Sequence, residues 1–430
     1  MSDSNSGPLR IDTAFLHNTE YGVKPETVQK TQEEVDKAIV RVEERVTANE
    51  YGFLSILQHS FADKMISQTQ AVFDSLSWCK AMIVVGIGGS DLGARAIQQG
   101  LQVDAPPMEV IFHGDSTDPE QIRQLELRIQ KGTIALQTTV FVIISKSGET
   151  VETISQYLYW KERLSSQQLP LGKHFIFITD AKKGILQAES KVFDVQTLAI
   201  PDEVGGRFSV LTPVGLLPAL AMGVNISDLV NGALEFIQSK ENRSSIYEYV
   251  SAQYRLFLQG LPVVVLMPYS VRLEEFARWF RQLWAESLGK DGTGILPIQA
   301  RGPADQHSQV QFYAQGSPLM SLLFIALEKP VQNYTLPATD IPSLMYLSGH
   351  TFQEINLAEQ KATAQALYEA GRPSATITLE KLDASSLGSL FIFFELGVVF
   401  AAEVLQVNAF DQPGVEQGKQ IMYRLLGKSV

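Results

Sequence analysis

AMIVVGIGGSDLGARAI, residues 81–97, changes character twice within a short stretch. Ala81–Val85 is a continuous apolar run, as a strand buried on both faces requires. Gly86, Gly88 and Gly89 follow, and residues 92–97 return to helix formers. Strand, loop and helix in this order predict a parallel crossover unit. The order recurs in TTVFVIISKSGETVETISQYL, residues 138–158, and in FIFIT, residues 175–179, which ends in Asp180 and a helix-like segment. Three such units predict an α/β fold with a parallel, doubly wound sheet, whose ligands collect beyond the carboxyl ends of its strands.

Upstream, residues 26–75 read as helical, and the Ser/Gly/Pro-bearing start MSDSNSGPLR reads as a frayed end without an apolar signal core. Downstream of VGGRFSVLTPVG, residues 204–215, a helical stretch leads to the strand PVVVLMP, residues 262–268, and the helix EEFARWFRQLWAES, residues 274–287. A second α/β unit begins there, with further strands expected at 295–299 and 375–379. The tail from Phe391 reads as helical apart from NAFDQPG, residues 408–414. The expected division is an N-terminal helical segment 1–60, a first α/β domain 61–215, a second 216–385 and a C-terminal helical tail 386–430. The apolar run LFIFFELGVVFAAEVLQV, residues 390–407, is expected to be a buried core helix and not a membrane span, because Glu395 and Glu403 are costly in lipid.

With 430 residues, 45% hydrophobic and 19% charged, the chain has the make-up of a folded protein of two or three domains, and global disorder is excluded. Its net charge of −12 disfavours nucleic acid and anionic membranes as partners, so an anionic ligand needs a local site. One cysteine, Cys79, precludes an intramolecular disulfide and suits a reducing compartment, by default the cytoplasm. The histidines at 17, 59, 113, 174, 307 and 350 show no metal-ligand spacing, so no metal is expected.

Several loops stand out. GIGGSDLG, residues 86–93, approaches a dinucleotide fingerprint, but Asp91 stands where the third glycine belongs. What is left is a bare-backbone turn opening a helix, whose amides and Ser90 hydroxyl suit an anion, though taken alone a plain tight turn is the better reading. ISKSGET, residues 144–150, sets the hydroxyls of Ser145, Ser147 and Thr150 around Gly148 beside Lys146, a set that suits a phosphate monoester or an ordinary capped loop. VGGRFS frees the backbone to bring Arg207 close to a developing oxyanion. Glu286 lies about 80° from Phe276 around its helix, on the shoulder of the apolar stripe where a carboxylate is partly desolvated. PADQHSQVQ, residues 303–311, reads as a loop whose His307 moves protons near neutrality, and Pro413 starts a helix carrying Glu416 and Lys419. Taken singly, each of these also reads as an ordinary surface feature.

As an ordered set, VGIGGSDLGAR, SKSGETVET, VGGRFSVLTPVGLLP, QLWAESLGK, GPADQHSQVQ and FDQPGVEQGK resemble the signatures of the phosphoglucose isomerase family, over about residues 86–419. The chain resembles the compact bacterial type. The resemblance implies two sugar-isomerase domains, each a parallel sheet flanked by helices. It implies interconversion of glucose 6-phosphate and fructose 6-phosphate without metal or organic cofactor, in a homodimer with shared active sites. By the same resemblance Ser145, Ser147 and Thr150 are the phosphate hydroxyls, with Lys146 and Ser90 nearby. Glu286 is the proton-transfer base, and Arg207 steadies the enediolate and keeps Glu286 ionised. His307, contributed by the partner subunit, and Lys419 open the sugar ring, while Gly89, Glu152 and Gln412 contact substrate. Glu149 departs from the family pattern inside the phosphate loop and is expected to point outward. A bifunctional phosphoglucose/phosphomannose isomerase and a non-catalytic phosphosugar sensor are the alternatives, with a nicotinamide-dependent dehydrogenase a distant third that Asp91 excludes. Retention of Glu286, His307 and Lys419 together disfavours the sensor, which needs no proton shuttle.

Overall fold

The computed structural model describes residues 9–428 and contains two five-stranded sheets. The first comprises β2 (Ala81–Val85), β3 (Glu109–Phe112), β4 (Thr139–Ile144), β5 (Phe175–Thr179) and β6 (Gln196–Ala199), parallel throughout, in the order β3-β2-β4-β5-β6. Every residue of β2, β4 and β5 is buried, which explains why their sequences run apolar without alternation. Successive residues serve opposite faces. Met82, Val84, Val140 and Val142 enter the main core, whereas Ile83, Val85, Phe141 and Ile143 pack under the helix Val151–Ser166 with Tyr157 and Trp160.

The second sheet runs β1 (Leu9–Asp12), β10 (Ser374–Lys381), β9 (Met320–Lys329), β7 (Val263–Pro268), β8 (Leu296–Gln299). Four of its strands are parallel, in keeping with two sheets of the expected kind, but β1 is an addition. Leu9–Asp12 pairs antiparallel with β10 along its open edge, a placement that needs no crossover helix. Leu9 and Arg10 therefore belong to a sheet, against the expected frayed start; the rest of that expectation concerns residues 1–8, outside the described residues. β9 was not expected either. MSLLFIALEK is so evenly apolar that its periodicity does not separate a strand from a buried helix.

Both sheets present one face to a shared helical layer. Val84 and Ile144 of the first sheet and Leu266, Ile325 and Ile377 of the second belong to one continuous core with the helices Pro213–Ala221, Ile226–Gln238, Glu274–Leu288 and Ala384–Leu405. The last of these passes through the centre of that layer. It starts with a capping box between Asp383 and Ser386, and the expected boundary before residue 386 falls in its first turn. Among the described residues it is the one helix long and apolar enough to cross a membrane, and it is buried within the protein. Burial pushes the carboxyl of Glu395, at mid-helix, well above the usual carboxylate range, whereas Glu403 reaches the surface and pairs with Arg41 at 2.5 Å and Arg45 at 3.6 Å.

In the first sheet the chain goes from β2 to β3 on one side and then back to β4 on the other. The carboxyl ends of β2 and β4 flank this reversal of strand order, where a crevice opens in doubly wound folds. The loops 86–91 and 145–150 both emerge there.

Candidate active site

The loop after β2 turns through a short 3-10 segment, Gly88–Ser90, into the helix Leu92–Gly100. Gly88 has φ +62°, and Gly89 lies so close to the next glycine-bearing loop that a Cβ there would sit 2.3 Å from the carbonyl of Gly206. Asp91, the residue that breaks the dinucleotide pattern, is 1% exposed. Its carboxylate accepts from Arg95 Nε at 2.6 Å, and Arg95 also reaches Asp115 at 3.1 Å. Burial raises the Asp91 carboxyl to about 6, with Arg95 opposing. His113 at the end of β3 is buried nearby, and burial lowers its imidazole to about 4, so it stays neutral. Asp91 thus braces the turn from behind, while Ser90 remains half-buried at its front.

The loop after β4 holds its hydroxyls together. Ser145 Oγ lies 3.0 Å from Thr150 Oγ1 and accepts from the Gly148 amide at 3.1 Å; Ser147 Oγ accepts from the Glu149 amide at 3.2 Å. Gly148 supplies the left-handed backbone, φ +67°, that folds the loop back on itself. Ser147 is exposed and Thr150 half-buried, ahead of a helix whose first-turn amides lack intrahelical acceptors. Glu152 sits in that first turn, half-buried. Glu149 points outward: it is exposed, its carboxylate lies 3.6 Å from Lys428 Nζ, and its carbonyl accepts from Tyr423 Oη. Lys146 does not point into the hydroxyl cluster. Its ammonium donates to the carbonyls of Asp202 and Val204 at 2.8 Å and of Pro201 at 3.3 Å.

Arg207 is the hub of the site. It is 5% exposed on the turn Gly206–Phe208, and every nitrogen of its guanidinium is engaged. Nε donates to Ser287 Oγ at 2.8 Å, Nη1 to Gln412 Oε1 at 3.0 Å and Glu286 Oε2 at 3.3 Å, and Nη2 to the carbonyls of Asp411 at 3.0 Å and Ala409. Burial pulls the guanidinium below its usual range while the carboxylates of Glu286 and Asp411 pull it back, and it stays charged at any ordinary pH. Glu286 is held from both sides, since Gln282 Nε2 donates to its other oxygen at 3.2 Å. That amide packs on Gly88, where a Cβ would lie 2.7 Å from it. The helix Glu274–Leu288 buries Phe276, Trp279, Phe280, Leu283 and Trp284 and so fixes Glu286, 35% exposed, at the crevice.

The structure therefore brings together Gly89, Arg207, Glu286 and Gln412 directly, and places Ser145, Ser147 and Thr150 on the neighbouring strand end. It does not bring His307 or Lys419 to them. His307 is exposed on the helix Gly302–Ser308, which Pro303 opens and Asp305 steadies through the Arg301 amide at 2.6 Å and Ser308 at 2.7 Å; the loop expected there is a helix. Among the described residues His307 makes no hydrogen bond. Lys419, exposed on the helix Glu416–Leu425, pairs with Glu416 at 2.7 Å. Sequence reasoning missed Gln282, Ser287 and Lys290. The first two flank Glu286 on its own helix at i−4 and i+1, a spacing that was available as a signal. Lys290, 7% exposed in its side chain, pairs with Asp411 at 2.8 Å and anchors the segment carrying Gln412. No group of three or more His, Cys, Asp or Glu is placed to hold a metal ion among the described residues.

The family profile described as phosphoglucose isomerase matches residues 36–429. The chain is 37% identical to the glucose-6-phosphate isomerase of Carboxydothermus hydrogenoformans over 92% of its length and 89% of the relative's. It is 36% identical to that of Rubrobacter xylanophilus over 80% of its length and 82% of the relative's. In three dimensions it is similar to a hypothetical protein from Thermus thermophilus, with a TM-score of 0.85, 31% identity and coverage of 97% of this chain and 99% of the other. The fold is shared with a glucose-6-phosphate isomerase from Chlamydia trachomatis, with a TM-score of 0.73, 21% identity and coverage of 87% and 75%.

Proposed function

Because this chain belongs to the phosphoglucose isomerase family, we propose that its crevice between β2 and β4 interconverts glucose 6-phosphate and fructose 6-phosphate, with Glu286 moving the proton. The observation that carries the assignment is the clamped carboxylate: one oxygen of Glu286 on Arg207, the other on Gln282, with the paired hydroxyls of Ser145 and Thr150 on the loop after the neighbouring strand. A single carboxylate held in this way carries a proton between the adjacent carbons C1 and C2 of the open-chain sugar, through a cis-enediolate. Arg207 lies against it as a fixed, desolvated cation and offsets the charge that develops on the enediolate oxygens. Phosphate held by Ser145, Ser147 and Thr150, with Ser90, supplies binding energy remote from the reacting carbons and orients them. Gly89, packed against Gly206, keeps the two glycine loops together beside the sugar, and Glu152 and Gln412 complete the substrate contacts. No cofactor is invoked.

Ring opening requires a proton to leave the C1 hydroxyl and another to reach the ring oxygen, for which imidazole and a nearby ammonium are suited. We assign these tasks to His307 and Lys419. The exposed His307, without a polar partner among the described residues, fits delivery into the site of a second subunit in a homodimer. The buried Cys79 suits a cytoplasmic location.

The test is complementation. Glu286→Gln and His307→Ala chains should each be nearly inactive on fructose 6-phosphate. Mixing them after mild dissociation should restore up to about a quarter of wild-type activity if each site draws on two chains, because one composite site of a mixed dimer is then intact. No recovery, with mixed dimers demonstrated by mass, would remove the shared-site assignment. An inactive wild-type chain would remove the isomerase reading itself.

A further inference from the structure

The sequence invites a reading of Lys146 as the cation of the phosphate loop, yet its ammonium is spent elsewhere. Three donors meet three backbone carbonyls, those of Pro201, Asp202 and Val204, at 2.8 to 3.3 Å. These carbonyls belong to the segment between β6 and the glycines that carry Arg207. The segment has little regular structure of its own: a Val204 amide bond to the Pro201 carbonyl at 3.0 Å, then the turns at Phe208 and Ser209. Besides the exposed Lys182–Asp202 pair at 3.2 Å, it is gripped at three points. The helix Gly52–Ser55 approaches so closely that a Cβ on Gly52 would lie 2.2 Å from the Glu203 carbonyl, Gly89 touches Gly206, and Lys146 gathers the carbonyls from the phosphate-loop side. Only the third grip originates in the loop whose hydroxyls face the phosphate site. Burial pulls the Lys146 ammonium below its usual range, and the nearby carboxylates of Asp202, Asp180 and Glu203 oppose this.

Resting on the isomerase reading above, we propose that Lys146 is a positioning residue that ties the phosphate loop to the Arg207 loop, so that phosphate bound at Ser145, Ser147 and Thr150 stiffens the Arg207–Glu286 pair. A displacement of the phosphate loop on ligand binding moves the Lys146 backbone, and the ammonium carries that displacement to residues 201–204. Arg207 follows three residues later, with its guanidinium already committed to Glu286, Ser287 and Gln412. The lysine thus acts through the backbone, leaving the anion to hydroxyls and first-turn amides.

Amide hydrogen exchange of the full chain, with and without inorganic phosphate, separates the roles. In wild type, phosphate should slow exchange at residues 147–151 and, through the tether, by at least about threefold at 204–209. In Lys146→Met, protection at 147–151 should persist with phosphate Kd within about threefold of wild type, while protection at 204–209 disappears. The kcat for fructose 6-phosphate should fall about 30- to 100-fold with little change in KM, as misplacement of a reacting group by a fraction of an ångström does. Lys146→Gln, which keeps two donors, should fall between, and serves if the methionine variant does not fold. A tenfold loss of phosphate affinity with near-normal kcat would overturn the proposal in favour of a direct phosphate ligand. Protection at 147–151 without any at 204–209 in wild type would overturn the coupling. Absence of protection at both would count against the phosphate site itself and so against the isomerase reading.

Discussion

The two sheets reverse their strand order in the same way, the first between β2 and β4 and the second between β7 and β9, and their carboxyl ends carry different chemistry. At the first, glycines bring the backbone close, the Arg207–Glu286 pair is clamped, and the loop after β4 carries the hydroxyls of Ser145, Ser147 and Thr150. At the second, the polar groups are already occupied in holding the fold. Arg272 donates to the carbonyls of Gly100 and Leu382, Asn356 to the carbonyl of Tyr269, and Tyr269 Oη to Gln306, while Val331, Tyr334 and Phe352 leave an apolar rim. Topology offers a crevice twice, but the hydroxyl-bearing loop and the clamped Arg207–Glu286 pair stand at the first. The second sheet contributes differently: the helix that follows β7 runs to the first crevice and ends there with Glu286.

The sharpest break of this contrast comes from the base. Glu286→Gln should lower kcat by about 10³-fold or more while phosphate binding persists, checked by a coupled assay and by calorimetry with inorganic phosphate. Turnover near wild type would move the chemistry away from this crevice. Arg207→Lys should lower kcat by roughly 10²-fold, because an ammonium cannot reproduce a planar fork that serves Ser287, Glu286, Gln412 and two carbonyls at once; steady-state kinetics and a melting curve would show it, with a lower Tm as the buried carbonyls lose donors.

A matched pair of variants tests the two crevices against each other. Ser145→Ala with Thr150→Val should raise KM for fructose 6-phosphate by about 30-fold or more, at roughly 1 kcal/mol or more for each of the two charge-assisted hydrogen bonds. Asn333→Ala at the second crevice, which removes acceptors for the Tyr334 and Gln353 amides, should leave kcat and KM within about twofold and affect only stability. The smallest effect concerns pH. Asp91 has its carboxyl raised by burial to about 6, above its ordinary 3.8, so folding takes up a proton between those values. Its contribution to stability is present in full below about pH 4 and lost as pH rises through 6, an effect on the order of 1–3 kcal/mol. Denaturant titrations of wild type and Asp91→Asn across pH 4–7 should show this slope in the first and its absence in the second.

How much of this was legible in sequence varied with the physics of each element. AMIVV, TVFVII and FIFIT announced strands because full burial leaves no room for polar residues, and the glycines beside them announced turns. Leu9–Asp12 did not, because four alternating residues carry too little period and its pairing with β10 spans most of the chain. The helix Ala384–Leu405 was recognised as buried, but its place between the two sheets follows from packing that no local pattern encodes. Within the site, residue types at loop ends pointed to Arg207, Glu286 and the hydroxyls. The direction of Lys146 was not legible, since an ammonium beside serines reads as an anion ligand until the three carbonyls that claim it are seen. Ser287 and Lys290 were overlooked because their partners, Arg207 and Asp411, come from loops far away in sequence, whereas Gln282 lies one helical turn before Glu286 and could have been found.

The central claim, that a solvent-reachable carboxylate carries a proton between adjacent sugar carbons, is tested most directly by incubating the chain with fructose 6-phosphate and chelator in heavy water. The account predicts glucose 6-phosphate with deuterium at C2 in part of the molecules, because Glu286 is about one-third exposed and exchanges its proton during some turnovers. Product free of deuterium, or no product, would contradict it.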